Sequence, residues 1–366
     1  DMLLTPFPNG FGLDISDLSV KLVQLRNVSH RLRRPAFSLL SVRATQLPYG
    51  LITNGILDQP ESVRKYIYHL LRKTDRAGRL RKSPWVVASL PDTQGYLKLI
   101  HLEKAPDDII DEDIGIAARK HFPISADDYY LDWQIMPSHG TTDHTDVLLC
   151  AMPKTISDMY TYLLESLGLA VVALEIQAMA TARAMITAQK VYVNEARAIL
   201  DLGAVRTTVI IYDHNHLQFS RALPYSGELL TTAIAQKLHL SPDEAEKKKR
   251  DTGLQYKNSP VWPIMTKYAD ELVGQIQETF EFYYSHFSDA NRITHVTMSG
   301  GGAATKRLDA VLSLKLGIES QPGHAWKNLG LPIPETYNEQ ALAGFATAIG
   351  LALRAADNPY FKTDTL

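Results

Sequence analysis

Cysteine is nearly missing: Cys150 is the sole one in 366 residues, so an intrachain disulfide is excluded and a reducing compartment fits. It lies in the apolar run from Val147 to Met152 and reads as a small buried hydrophobe. Long apolar runs are missing too. The longest, Leu167 to Leu174 and Ala341 to Leu353, fall short of the roughly 18 residues that a spanning helix needs. The start carries no basic region followed by an apolar stretch, so no signal peptide is visible and a soluble chain is expected. Charge of one sign is not in excess: 38 Lys and Arg face 40 Asp and Glu, a net −2, without the global basic field of a nucleic-acid binder. Gly-x-Ser-x-Gly, Gly-x4-Gly-Lys-Ser/Thr and Cys-x2-Cys patterns are absent, which argues against a hydrolase elbow, a P-loop or a zinc ribbon. His214 and His216 sit between apolar strands, where a hairpin turn explains them without a metal.

What is present is ordinary globular composition, 45% hydrophobic and 21% charged, with enough length for a sizeable core in one large domain or several smaller ones. Charge is unevenly placed. Residues 1 to 82 carry a balance of +8 and residues 83 to 154 one of −7, so a boundary between separately folded units is expected near Ser83-Pro84. Periodicity predicts an antiparallel meander over Phe11 to Ile15, Leu18 to Arg26 and Phe37 to Leu47, then a helix over Glu61 to Leu71. Within 83 to 152, strands at Trp85 to Leu90, Tyr96 to Leu102 and Val147 to Met152 with a helix at Ile109 to Lys120 make a small α+β unit. Lys154 to Leu167 reads as a helix, Val171 to Glu175 as a buried strand, and Ala178 to Gln189 as a helix rich in small residues. Ala341 to Leu353 is a second helix of that kind, and the pair reads either as tight packing or as a hinge between lobes.

A weak internal repeat organises the rest. Phe11-Gly12-Leu13-Asp14-Ile15-Ser16 aligns with Ala198-Ile199-Leu200-Asp201-Leu202-Gly203 at an offset of 187, each an apolar strand ending in Asp, a turn and a second apolar strand. Such an Asp can stand near a metal while backbone amides of the turn face a phosphate; a turn Asp with surface neighbours is the alternative. Lys21 follows Asp14 by seven positions, where it can meet a phosphate as a point charge. Gly203, followed by Arg206, Thr207 and Thr208, lets backbone approach closely or simply makes a β-turn. Ser299-Gly300-Gly301-Gly302-Ala303 lies between an apolar strand and a helix expected over Thr305 to Leu316, and offers bare backbone to a ligand. Ser241-Pro242-Asp243-Glu244 is a capping box, so a helix starts there. On that helix Glu246 shares a face with Lys249 and Arg250, an intrahelical ion-pair face that in a cleft can instead clasp ribose and base.

Taken in this order, these residues resemble the actin-like ATPase superfamily, and within it the PilM family of type IV pilus assembly proteins, relatives of FtsA. Asp14 to Lys21 is similar to the first phosphate motif, Asp201 to Thr208 to the second, and Ser299 to Ala303 to the adenosine motif. Glu175 to Ala180 and Ala343 to Leu351 resemble the two connecting motifs. Ala88-Ser89-Leu90-Pro91, the stretch from Ala117 to Pro123, Asp132-Trp133-Gln134, Val147 to Lys154 and Glu165 to Leu169 resemble the PilM family in particular.

The resemblance implies an α/β, actin-like bilobal fold of two RNase H-like lobes with an inserted α+β subdomain. The first lobe would take residues 1–82, 153–190 and 335–366, the insert 83–152, the second lobe 191–235 and 291–334, and its subdomain 236–290. It implies ATP and Mg²⁺ bound between the lobes, with Asp14 and Asp201 as metal ligands and Glu175 and Asp201 as the catalytic pair, Glu175 positioning water. Ser16, Lys21, Gly203, Thr207, Glu246, Lys249, Arg250, Gly300, Gly301 and Gly302 would bind the nucleotide. It further implies a cytoplasmic protein, peripheral at the inner membrane, that takes the cytoplasmic tail of a PilN-like protein and does not bind nucleic acid; a homo-oligomer stays open. The +8 and −7 blocks suit electrostatic docking of the first subdomain on the insert, and Arg31, Arg33 and Arg34 suit contact with anionic lipid. The family glycine is Ser16 here and the next position is Asp17, a second carboxylate that repels a triphosphate unless Mg²⁺ or Arg206 offsets it. Binding with slow or absent hydrolysis is therefore expected. Two alternatives are a nucleotide-free scaffold with decayed phosphate motifs and an FtsA-like membrane-associated filament protein.

Overall fold

The computed structural model describes residues 7–29, 35–72, 83–125, 127–136, 144–188, 190–335, 337 and 342–357. Arg31, Arg33 and Arg34 lie outside the described residues. The chain divides into two compact units, one of residues 1–190, 216–220 and 325–366, the other of 191–215 and 221–324.

The first unit opens with the expected meander, β1 (Phe11–Ser16), β2 (Ser19–Asn27) and β3 (Phe37–Gln46), each antiparallel to the next. A small hairpin of β4 (Ile52–Thr53) and β5 (Ile56–Leu57) leads into α1 (Pro60–Arg72), whose Val63, Ile67 and Leu70 form the buried stripe. The strand β6 (Trp85–Leu90) then pairs in parallel with β1. This displaces the boundary expected at residue 82. Net charge averages over surface loops, whereas the fully buried Val86, Val87 and Ala88 put β6 inside the first sheet.

The inserted α+β part follows as β7 (Tyr96–Leu102), α2 (Asp111–His121), β8 (Tyr129–Ile135) and β9 (Thr145–Pro153), paired in the antiparallel order β7-β9-β8. Ile100, Ile114, Ala118, Phe122, Val147 and Leu149 are its core. Cys150 on β9 is partly covered, and burial pushes its thiol up to about 12, so it stays protonated. Next come α3 (Lys154–Glu165), β10 (Ala170–Ile176), which pairs in parallel with β6, and α4 (Gln177–Met185). The first sheet thus reads β10-β6-β1-β2-β3.

In the second unit β11 (Ala196–Leu202) and β12 (Thr207–Asp213) form an antiparallel pair. The strand β13 (His216–Leu223) is divided: His216–Ser220 counts with the first unit, where Phe219 pairs with Lys98 of β7. Three helices follow, α5 (Gly227–Leu238), α6 (Pro242–Thr252) and the 25-residue α7 (Trp262–His286). Ser241 caps α6 with the reciprocal Glu244 bond that the capping box predicts. The strand β14 (Ile293–Ser299) lies parallel to β11, and β15 (Glu319–Pro322) parallel to β14. The order β15-β14-β11-β12 repeats β10-β6-β1-β2, with Asp201 facing Thr208 as Asp14 faces Lys21. Between β14 and β15, α8 (Leu308–Leu316) starts three residues later than expected, because the glycine run coils into a 3₁₀ turn over Gly301–Ala304 and Arg307 takes a left-handed φ of 67°.

Back in the first unit the last described helix is α9 (Ala346–Ala356), apolar but for Thr347 and Arg354 and buried nearly all round, against β1, β2, β6 and α4. A Cβ on Gly12 of β1 would stand 2.4 Å from Ala352 N, and one on Gly350 would stand 1.8 Å from Ala180 O of α4. The Thr181 and Thr347 hydroxyls bond across the same contact at 2.9 Å. No helix among the described residues is long and apolar enough to cross a membrane.

Candidate functional site

In the first unit Asp14 stands near the end of β1, 3% exposed. Its Oδ1 accepts from Ser89 Oγ on β6 at 3.1 Å and from Gln177 Nε2, the first residue of α4, at 3.0 Å. Ser89 Oγ in turn accepts from Ile15 N, which ties β1 to β6 at this point. Ser16 Oγ lies 3.4 Å from Asp14 Oδ2. Asp92 accepts from Ala178 N and so caps α4, fixing where Gln177 emerges. Lys21, opposite Asp14 across the hairpin, holds its ammonium 6.0 Å from the Phe345 ring centre.

Two expectations need correction here. Asp17 does not present a free carboxylate at the turn: it is buried, with Oδ2 accepting from Asn54 N at 2.9 Å and Oδ1 from Gly55 N at 3.0 Å, so it pins the β4–β5 turn. Glu175 is not arranged to position water. Its side chain is fully covered and both oxygens are committed, to Arg183 at 2.6 and 3.0 Å and to Arg354 at 3.1 Å. Burial alone would push this carboxyl up, but the two guanidinium charges outweigh it and hold it below the usual range. Gln177, two residues on, is the side chain of that segment that reaches Asp14.

In the second unit Asp201 Oδ1 accepts from Ser299 Oγ at 2.7 Å, the counterpart of the Ser89 bond, since Ser299 ends the parallel neighbour β14. Gly300 has φ +78°, and a Cβ there would meet Leu202 O at 2.5 Å and Asp201 Oδ1 at 2.8 Å; Gly302 packs equally close to Leu202, while nothing lies within 4 Å of the corresponding point on Gly301. Gly203 N closes the β11–β12 turn onto Arg206 O at 2.9 Å. The first amides of α5 then bond to that turn, Gly227 N to Gly203 O and Glu228 N to Ala204 O. Thr207 is fully buried, and its Oγ1 has no hydrogen-bond partner among the described residues.

Glu246, Lys249 and Arg250 form the intrahelical ion pairs at 2.6 and 2.7 Å, and Glu246 and Lys249 also reach α5. Glu246 accepts from Thr231 Oγ1, while Lys249 donates to Gly227 O at 2.8 Å. Burial pushes the Glu246 carboxyl up, but bonds from Lys249 and Thr231 outweigh this and hold it low. Arg250, with its side chain 76% exposed, keeps most of its guanidinium in solvent.

Sequence reasoning named neither Ser89 nor Gln177 for the site. A signal was there for the serine: Val86-Val87-Ala88-Ser89 and Val296-Thr297-Met298-Ser299 both place a Ser at or next to the end of a mainly apolar strand, so the internal repeat extends to a third strand.

Repeated strand order and paired Asp-bearing hairpins define the class as an actin-like ATPase fold. The family described as type IV pilus assembly protein PilM matches residues 12–356, and the chain belongs to that family. It is 35% identical over 63 residues to cell division protein FtsA of Bacillus subtilis, a match spanning 17% of this chain and 14% of that protein. Among solved structures, a PilM–PilN type IV pilus biogenesis complex is similar at 22% identity with a TM-score of 0.79, covering 96% of this chain and 100% of the other. MreB5 of Spiroplasma citri bound to AMPPNP is similar at 12% identity with a TM-score of 0.53, covering 88% and 93%.

Proposed function

We propose that this protein binds ATP with Mg²⁺ and works as a nucleotide-dependent adaptor in type IV pilus assembly, engaging the cytoplasmic tail of a PilN-like protein at the inner membrane. The duplicated hairpin carries the nucleotide reading. Asp14 and Asp201 occupy equivalent strand ends, each held by a serine from the parallel neighbour. Two hard oxygen donors suit Mg²⁺, which keeps several of its waters and binds through one or two carboxylates plus phosphate. Two further features fit a nucleotide: Thr207 Oγ1 is buried with a bond to spare for a phosphate, and Gly301 leaves its backbone open toward an adenosine.

In this reading Asp14 and Asp201 hold the hydrated metal, with Ser16, Lys21, Gly203 and Thr207 at the phosphates. Gly300, Gly301 and Gly302 face the adenosine together with Glu246, Lys249 and Arg250. Asp17 turns its carboxylate to the Asn54 and Gly55 amides of the β4–β5 turn, which fixes its place there. Commitment of Glu175 to two arginines supports slow or absent hydrolysis. The MreB5 bound to AMPPNP and the PilM bound to PilN share the fold and support both halves of the reading.

Calorimetric titration with ATP and Mg²⁺, beside ADP and metal-free controls, tests it. Micromolar, magnesium-dependent binding that Asp201→Ala weakens at least about tenfold is expected. Unchanged affinity in that variant would sink the metal assignment, and no heat up to millimolar ATP would favour a nucleotide-free scaffold. Fluorescence anisotropy with a labelled PilN-like tail peptide, with and without nucleotide, tests the adaptor half.

A further inference from the structure

Pairing of β7 with β9 sets His101 directly opposite Asp146, and His144 stands two residues before Asp146, immediately ahead of β9. The side chains converge. His101 Nδ1 lies 2.6 Å from Asp146 Oδ1, His144 Nε2 lies 3.3 Å from the same oxygen, and the two imidazoles meet edge to face with centroids 4.7 Å apart. One ligand atom from each residue lies within 4.8 Å of the others. Continuing the Phe219–Lys98 register brings the buried His216 opposite His101.

We propose that His101, His144 and Asp146 form a binding site for a divalent transition-metal ion, zinc foremost, on the sheet of the inserted subdomain. Two imidazoles and one carboxylate are a donor set of zinc sites that keep a fourth position open, whereas Ca²⁺ and Mg²⁺ take oxygen ligands. Ligand atoms at about 2.0–2.1 Å from a tetrahedral ion stand about 3.4 Å from one another. His144 and Asp146 already have that spacing at 3.3 Å; His101 moves off Asp146 and closes on His144, each by on the order of 1 Å, exchanging a hydrogen bond for a metal bond. Backbone pairing fixes two of the three ligands in advance. Side-chain exposures of 34% and 35% at the histidines give an ion access and leave the fourth position to water.

The site sits on another sheet from Asp14 and stands or falls independently of the nucleotide reading. To test it, Zn²⁺ is titrated calorimetrically into chelator-stripped full chain, and Co²⁺ is followed by its visible absorption. One ion per chain at micromolar affinity or tighter, intense tetrahedral Co²⁺ bands and a raised Tm are expected. His144→Ala, which leaves the β7–β9 pairing intact, and Asp146→Asn each weaken binding at least about tenfold, while His295→Ala leaves it unchanged. Binding weaker than millimolar, or unchanged in both variants while their circular dichroism matches the parent, overturns the proposal and leaves a hydrogen-bonded His–Asp–His cluster.

Discussion

Replacing Gly350 by alanine is the sharpest test of how the first unit is packed. Alanine in an exposed helix interior is worth about 1 kcal/mol over glycine, so propensity alone predicts a more stable protein. Packing predicts the reverse. The new methyl would lie 1.8 Å from Ala180 O and 2.5 Å from Ala180 C, so α4 and α9 must part by more than about 1 Å to reach ordinary carbon–oxygen contact. That separation strains the Thr181–Thr347 hydroxyl bond and the bond from Arg183 Nη1 to Gly350 O, at 2.9 and 3.2 Å. Overpacking of about 3 kcal/mol and about 1 kcal/mol per weakened bond, less the propensity gain, leaves a net loss of about 3 to 4 kcal/mol. Urea unfolding gives the answer as a lowered midpoint at unchanged slope. Gly274→Ala in α7, where the added atom meets nothing within 4 Å, is the matched control and should gain about 0.5 to 1 kcal/mol. A Gly350→Ala midpoint at or above that of the parent would refute the packing argument.

Asp17→Ala should cost about 2 kcal/mol by stranding the amides of Asn54 and Gly55, and should leave ATP affinity unchanged. A severalfold gain in affinity would mean that its charge does face the phosphates. Glu175→Gln should cost about 3 kcal/mol or more in denaturant, because two guanidinium groups lose their buried counter-charge. The Glu175 carboxyl titrates below its ordinary 4.5, so its contribution is full above that value and is lost as pH falls through the lower folded value. Acid unfolding of the parent should therefore be steeper below that value than that of Glu175→Gln, and parallel curves would contradict the ion triad.

Local features were legible in the amino acids. The Asp-turn repeat, the Ser241 capping box and the small-residue helix at Gly350 each declare themselves within a dozen positions. What escaped came together only through pairing at long range. Ser89 meets Asp14 because β6 lies parallel to β1, and a parallel partner is not a neighbour in sequence. The partners of Asp17 are 37 and 38 positions away, and Arg354, which helps to neutralise Glu175, lies near the far end of the described chain. His101 and Asp146 show no ligand spacing as letters and face each other only across the β7–β9 ladder.

The place of α9 also sets an order of events during synthesis. It is the central helix of the first unit, its backbone lying against Gly12, yet it emerges from the ribosome after the whole of the second unit. Residues 191–215 and 221–324 can collapse while the earlier strands still wait for their last layer. Until then the apolar faces of β1 and β6 have no cover from α9, so a chain stalled before residue 346 exposes apolar sheet surface, the kind of surface that promotes aggregation.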